Sequence, residues 1–344
     1  MAKPSVLLTI SSYRGFGGHE IVINNLCLGL KTIGFRTAIG AFNFIENPPD
    51  GIERINLSRV RGLDNQGGDH DFDIVHNHQT LLNYYSLFTK KPFLFHYHGA
   101  ANRIQEVNLR ISMLLCRRKI TRIISVSNSG VRKLEDIVGK KVEADVIYNG
   151  IDTNKFRTNL PKPHVKGQPQ LLFVGVLYPT KNARMLIETM PKILEVYPNA
   201  HLQIVGEGTD RASLQELIKH LNLERRIELV GRVSQNELPQ RYSSCDIYVS
   251  SSFLEALPVP PFEAMGCGKP LLLSDIPAHN EIISASGGGL TFSLAGGQDL
   301  INKLQAVYND RDRFGSNARK FAEKYDWSIV CEKVAEVYEQ VMTR

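Results

Sequence analysis

Ser5-Val-Leu-Leu-Thr-Ile-Ser-Ser-Tyr-Arg-Gly-Phe-Gly-Gly-His-Glu20 starts as a short apolar run, passes through three glycines and enters a segment of helical spacing that runs to about Thr32. A strand over 5–10, a glycine turn and a helix form the opening unit of a parallel sheet, in which each strand needs a crossover before the next. The pattern repeats outward from there. Short apolar runs rich in β-branched residues predict further strands at 36–41, 73–78, 93–98, 123–126 and 144–148, separated by longer segments of helical period.

The Pro-rich polar stretch Leu160-Pro-Lys-Pro-His-Val-Lys-Gly-Gln-Pro169 can neither propagate a helix nor pair as a central strand, and reads as an interdomain linker. The alternation then restarts, with strands expected at 170–174, 201–205, 226–230, 246–249, 269–273 and 289–291 and helices such as 182–196 and 210–221 between them. Thr209 is a plausible N-cap, and Ser234-Gln-Asn-Glu237 has capping-box spacing. After Gly297 the pattern is helical to the end, and Trp327 opens a last amphipathic helix. The expected organisation is two doubly wound α/β domains facing a cleft: 1–155, a linker at 156–169, and 170–326, with a C-terminal helix at 327–344 packing back on the first domain. Such a pair places a ligand at the carboxyl ends of both sets of strands.

Composition agrees with this frame. The 344 residues exceed what one hydrophobic core organises, and 42% hydrophobic with 22% charged residues is an ordinary globular balance. No apolar run approaches the ~20 residues of a membrane span. Polar Ser11, Ser12 and Arg14 follow the first apolar stretch at once, which argues against a secretory signal. Five scattered cysteines without a Cys-x-x-Cys pair fit reduced thiols in a cytoplasmic protein. The formal net charge of +6 is uneven: residues 1–168 hold 23 Lys and Arg against 14 Asp and Glu, whereas 169–344 hold 18 against 21. The basic half suits an anionic membrane surface, a phosphorylated substrate or nucleic acid, or simply carries solvated lysines. Nucleic acid is the weakest of these, for want of a reader motif or interleaved aromatics.

Several constellations can carry chemistry. Arg14-Gly-Phe-Gly-Gly-His-Glu20 opens a helix whose free N–H groups suit an anion, although the third glycine of a dinucleotide fingerprint is missing and a purely structural turn fits too. His76/His78 and His96/His98 end successive strands, and residues two apart share a face. Metal ligation, burial in a core and a single functional imidazole are the readings, with His98 before Gly99 favoured as functional and no metal expected. Glu255-Ala-Leu-Pro-Val-Pro-Pro-Phe-Glu263 sets two carboxylates eight residues apart, the second in the first turn of a helix that Pro261 can start. They suit sugar hydroxyls, or else Glu263 complements a helix dipole and Glu255 is solvated. Lys181, in the loop after the first strand of the second half, can reach a diphosphate as a point charge. The segment 102–121 mixes Ile104, Val107, Ile111, Met113 and Leu115 with Arg103, Arg110, Arg117, Arg118 and Lys119, which suits a membrane-resting helix and an ordinary core-facing one equally. Walker A, zinc-peptidase, Gly-x-Ser-x-Gly and kinase motifs are absent.

Taken in order, Gly17-Gly18, His98-Gly99, Tyr148-Asn-Gly-Ile-Asp152, Phe173-Val-Gly-Val-Leu-Tyr-Pro-Thr-Lys181, Ile204-Val-Gly-Glu-Gly208 and the Glu-x7-Glu segment followed by Ala264-Met-Gly-Cys-Gly-Lys-Pro270 resemble the retaining GT-B glycosyltransferases of the group 1 / family 4 type. The resemblance spans nearly the whole chain. It implies two Rossmann-like domains and transfer of a hexose-type sugar from a UDP- or GDP-sugar to a glycan, glycolipid or glycoprotein acceptor, without a metal or other cofactor. By position it implies donor contacts at Gly17, Gly18, Lys181, Gly206, Val233, Glu255, Val259 and Glu263, a catalytic set of His98, Glu255 and Lys181, and an acceptor side at His19, Asn102 and Arg103. Two positions depart from the family pattern. Val176 stands where an arginine usually pairs with the lysine five residues on, and Ala256-Leu-Pro258 replaces Gly-Phe-Gly, removing an amide N–H. These departures motivate an alternative, a catalytically weak or inactive scaffold that binds a nucleotide sugar or a partner. An epimerase on the same architecture is disfavoured by the carboxylate spacing.

Overall fold

A computed structural model describes residues 3–15, 17–57, 71–100 and 102–343. Phe16, inside the first glycine loop, lies outside the described residues. The chain divides into two compact units, one of Met1–Gly150 with Trp327–Arg344 and one of Ile151–Asp326.

In the first unit the order is β1 (Ser5–Tyr13), α1 (Gly18–Thr32), β2 (Arg36–Phe44), β3 (Glu53–Asn56), β4 (Ile74–Asn77), a 3-10 helix (Thr80–Leu87), β5 (Phe93–Tyr97), α2 (Arg103–Cys116), β6 (Arg122–Ser125), α3 (Asn128–Val138) and β7 (Asp145–Val146). The sheet runs β3-β2-β1-β4-β5-β6-β7, parallel at each pairing. Its strand order reverses between β1 and β4, the switch point at which open α/β sheets bind ligands. The central strands are buried on both faces, so they read as continuous apolar runs. β1 continues past Ile10 to Tyr13 because Ser12 and Tyr13 still pair with Asn43 and Phe44. β3 was not marked by the strand pattern: its Glu-Arg-Ile-Asn sequence sits mostly exposed at the sheet edge. α2 ends at Cys116 rather than running to 121.

The second unit continues with β8 (Gln170–Val174), α4 (Ala183–Val196), β9 (His201–Val205), α5 (Arg211–His220), β10 (Ile227–Gly231), α6 (Leu238–Ser244), β11 (Ile247–Ser250), α7 (Val259–Gly266), β12 (Leu271–Ser274), α8 (Pro277–Ser286), β13 (Gly289–Phe292), α9 (Gly297–Asn309) and α10 (Arg311–Ala322). The sheet order β10-β9-β8-β11-β12-β13 puts its switch point between β8 and β11. A single apolar core joins β8, β9, β11, α4, α5 and α9 through Phe173, Ile187, Ile204, Val249 and Leu304. Helix α11 (Trp327–Met342) belongs to the first unit, where Tyr338 packs edge-on against Phe35 and Cys331 lies under Gly29.

The division falls between Gly150 and Ile151, ahead of the expected linker. Residues 156–169 are built into the second unit: the backbone N–H of His164 donates to Ser244 Oγ (3.2 Å), Ser243 Oγ donates to the Leu160 carbonyl (2.9 Å), and Gln170 Oε1 accepts the Lys166 N–H (2.9 Å). Proline-rich sequence here is a packed strap, because its carbonyls and remaining amides find side-chain partners.

Three local expectations are corrected. Thr209 does not cap α5; Asp210 holds the N-cap position, without a side-chain capping bond. Ser234 Oγ accepts the Glu237 N–H (3.2 Å), but the Glu237 carboxylate turns to Arg241 (2.6 Å), so half a capping box forms. α7 starts at Val259, with Pro258 at its N-cap, two residues before Pro261. Glu263 is thereby carried beyond the first turn.

Candidate active site

The carboxyl edge of the second sheet gathers the loops after β8, β9 and β11. The β8 loop turns back through Gly175, and its amide donates to the Val205 carbonyl (3.0 Å), while Leu177 N–H donates to Glu207 (2.9 Å). Glycine is required at 206: φ is 142°, and a Cβ would lie 1.8 Å from the Gly175 oxygen. Val233 follows the end of β10 on the same edge, half-buried.

Two bonds bind the β8 and β11 loops together. Phe253 N–H donates to the Thr180 carbonyl (2.9 Å), and Ser251 Oγ to the Asn182 carbonyl (2.8 Å). Between them Lys181 Nζ lies 2.5 Å from Glu255 Oε1, and Ser252 Oγ donates to the same oxygen at 2.9 Å. The Lys181 side chain remains 27% exposed and that of Glu255 11%.

Glu263 is a different kind of carboxyl. It is buried in α7, and Tyr242 Oη on α6 donates to its Oε2 at 2.7 Å. Burial pushes its pKa up to about 7, opposed by the Tyr242 hydrogen bond and by the positive charge of Lys155. A buried group satisfied by a tyrosine does not serve the helix dipole, and that reading of Glu263 falls. Val259 opens α7 and is buried beside it. Val176 is 43% exposed.

Tyr242 and Ser252 had not been singled out. The run Ser250-Ser-Ser252 at the end of a buried strand was the available signal; Tyr242 carried none, because its link to Glu263 is tertiary. His279 was missed as well. It is buried, its Nδ1 bonds Ser274, and burial holds its pKa down to about 4.

In the first unit, β4 and β5 run in register and bring the two His-x-His pairs side by side. His76 and His96 stack with planes 5° apart and centroids at 5.2 Å, His96 and His98 at 4.3 Å, and His19 meets His98 edge-on at 5.0 Å. His76 Nδ1 and Tyr338 Oη share a 2.6 Å hydrogen bond, and His78 Nδ1 and His98 Nε2 a 3.0 Å one. His76, His78 and His96 are buried, and Nε2 of each has no hydrogen-bond partner among the described residues. Desolvation lowers the pKa of all five imidazoles, His78, His96 and His98 to well below the usual histidine range and His76 to about 3. One candidate ligand nitrogen from each of His76, His78 and His96 lies within 4.8 Å of the others. The stacked rings of His76 and His96 turn faces, not nitrogens, toward each other. The three buried imidazoles form a cluster that could hold a metal ion, and its outer neighbour, half-buried His98, is oriented by His78.

Gly18 opens α1 with free space around it, and Gly17 (φ 116°) makes the turn. The carboxylate of Glu20 folds back there: its Oε1 accepts the Arg14 N–H (3.3 Å), and it is buried, with its pKa raised by desolvation. An internal anion thus already sits at the helix start expected to hold a phosphate. Asn102 Oδ1 is committed to the Gln105 N–H (3.0 Å) as the N-cap of α2, and Arg103 is exposed at the start of that helix.

The sequence matches the family model of glycosyl transferases group 1 over residues 155–321 and that of glycosyltransferase family 4 over residues 16–155. An uncharacterized glycosyltransferase of Methanocaldococcus jannaschii is 31% identical over 214 residues, 57% of this chain and 54% of that protein. The phosphatidyl-myo-inositol mannosyltransferase of Mycobacterium leprae is 25% identical over 292 residues, 80% of this chain and 75% of that protein. In fold, the chain is similar to Anabaena HepE, solved in complex with UDP, with a TM-score of 0.82 over 98% of this chain and 100% of that one at 20% identity.

Proposed function

The chain belongs to the group 1 / family 4 glycosyltransferases, and from that membership we propose that it moves a hexose-type sugar from a nucleotide diphosphate sugar, a UDP- or GDP-sugar, to a glycan, glycolipid or glycoprotein acceptor with retention at the anomeric carbon. The observation that carries this reading is the Lys181–Glu255 pair at the switch-point edge of the second sheet, a cation and a hydroxyl-accepting carboxylate held by paired loops.

In this reading the second unit binds the donor. Lys181 takes the diphosphate charge, Glu255 accepts hydrogen bonds from the transferred sugar, Glu263 accepts from the ribose, and Gly206 and Val233 line the nucleotide. The N–H of Val259 faces the phosphates. The first unit takes the acceptor near His19 and Arg103, and His98 and Gly18 are its further site residues. The leaving phosphate oxygen takes the acceptor's proton as the new glycosidic bond forms on the face the phosphate leaves. The Lys181 cation and the Val259 amide then stabilise the departing charge. A UDP-bound structure of the same fold supports a uridine donor, and a phosphatidyl-myo-inositol mannosyltransferase, 25% identical, supports a lipid-linked acceptor.

The test is release of UDP or GDP from a panel of nucleotide sugars, with and without a chelator, by wild type beside Glu255→Ala and Lys181→Ala. Release that both substitutions abolish and the chelator spares fits the proposal. Tight donor binding without release supports the second reading, a nucleotide-sugar-binding scaffold, which Val176, Pro258 and the Glu20 carboxylate favour.

A further inference from the structure

Helix α2 is apolar on two opposite sides. Leu109, Met113 and Cys116 are buried in the core cluster with Phe93, Phe95 and Ile123. Ile104, Val107, Ile111, Leu114 and Leu115 are 81, 52, 47, 81 and 57% exposed. At about 100° per residue these five fall within roughly a 100° arc, facing away from the buried side. A helix that only packed on its own core would carry polar residues there.

Further exposed apolar side chains lie on and just after the neighbouring 3-10 helix, Thr80–Leu87. That helix is fixed to α2 by Tyr84 Oη donating to Asn108 Oδ1 (3.0 Å) and Asn83 Nδ2 donating to Ser112 Oγ (3.3 Å), and Leu81, Leu87 and Phe88 are exposed on and just after it. Large exposed apolar side chains are thus concentrated in one short stretch of the first unit, where scattered single ones are the norm.

Charge selects the occupant. Arg103, Arg110, Arg118 and Lys119 are exposed around this arc, and among the described residues none is paired with a carboxylate. Glu106, the acid of the helix's first turn, is instead taken by Lys133 at 2.5 Å. Pairing two copies of this face across a two-fold axis would oppose guanidinium to guanidinium. An anionic lipid surface supplies both an apolar interior for the five side chains and phosphates for the cations.

We infer that the outward face of α2, with the adjoining 3-10 helix, is a membrane-docking surface that lies in the headgroup layer of an anionic bilayer. This inference stands apart from the transferase reading, since it needs no donor or turnover. The experiment is co-sedimentation of the full chain with vesicles of phosphatidylcholine alone or with added phosphatidylglycerol, for wild type, Ile104→Gln/Leu114→Gln and Arg110→Gln/Arg118→Gln, with thermal unfolding confirming that each variant folds. Expected are binding to the anionic vesicles that weakens as salt rises, a loss of at least about tenfold in the apolar variant and a loss of roughly tenfold or more in the arginine variant. Wild type that ignores both vesicle types, binds them equally, or instead forms a concentration-dependent dimer that the apolar variant dissolves would overturn the inference.

Discussion

Lys181 Nζ and Glu255 Oε1 stand 2.5 Å apart, and Ser252 Oγ holds the same carboxylate oxygen at 2.9 Å. The cation is therefore aimed in the unliganded chain, and under the proposed reading an incoming diphosphate would compete with Glu255 for it. Glu255→Gln, which keeps shape and removes the charge, is expected to lower nucleotide release about 10²-fold or more while tightening simple UDP binding. Turnover assays beside calorimetric titration with UDP separate the two effects.

Val176 leaves the β8 loop with one lysine where the family has two cations, and at 43% exposure the position has room for a longer side chain. Val176→Arg is expected to tighten UDP binding by about tenfold at low ionic strength and to steepen its salt dependence. Titrations at two salt concentrations check it.

Glu263 changes charge near neutrality, its pKa raised to about 7 by burial. Ribose hydroxyls donate more strongly to a carboxylate than to a carboxylic acid. Donor affinity should therefore rise as pH passes upward through about 7, and Glu263→Gln should flatten that rise. Tyr242→Phe removes the bond to Oε2 and should shift the midpoint upward.

The histidine stack sets an acid limit on stability. Its members have folded pKa values below the unfolded value of about 6.5, so the unfolded chain binds more protons as pH falls. Their contribution is complete above about 6.5 and is lost as pH drops toward 3. Each depressed imidazole adds about 1.4 kcal/mol per pH unit to the slope in that window. Glu263 acts oppositely: its raised pKa contributes stability below about 4.5 that is lost as pH rises through about 7. With three fully buried histidines against it, urea midpoints should fall steeply from pH 6.5 to 5, and His96→Gln should reduce that slope by one proton's worth.

How far the sequence disclosed this molecule follows from what each feature depends on. Parallel strands buried on both faces leave continuous apolar runs, so β1, β4, β5, β8, β9, β11 and β12 could be read directly. Edge strand β3, a polar four-residue segment, left no such trace. In the second unit, Lys181, Glu255 and Glu263 were legible from spacing, but Tyr242 beneath Glu263 was not, since no local pattern links residues 21 apart on separate helices. The His-x-His pairs were visible, whereas their stacking needed the β4–β5 register. Glu20 was quoted in the loop, but only the folded turn shows its carboxylate in the position expected for a ligand.

One consequence comes from the start of α7. A helix leaves its first four N–H groups unused, here those of residues 258–261, and three of these four are proline. Val259 supplies the one amide N–H among them. A diphosphate at this helix end would meet an oriented dipole with almost no directed donors, so recognition there is by charge more than by geometry. Such a site tolerates variation in the phosphate's pose and gives up some of the rigidity with which a fully donating helix end grips its anion.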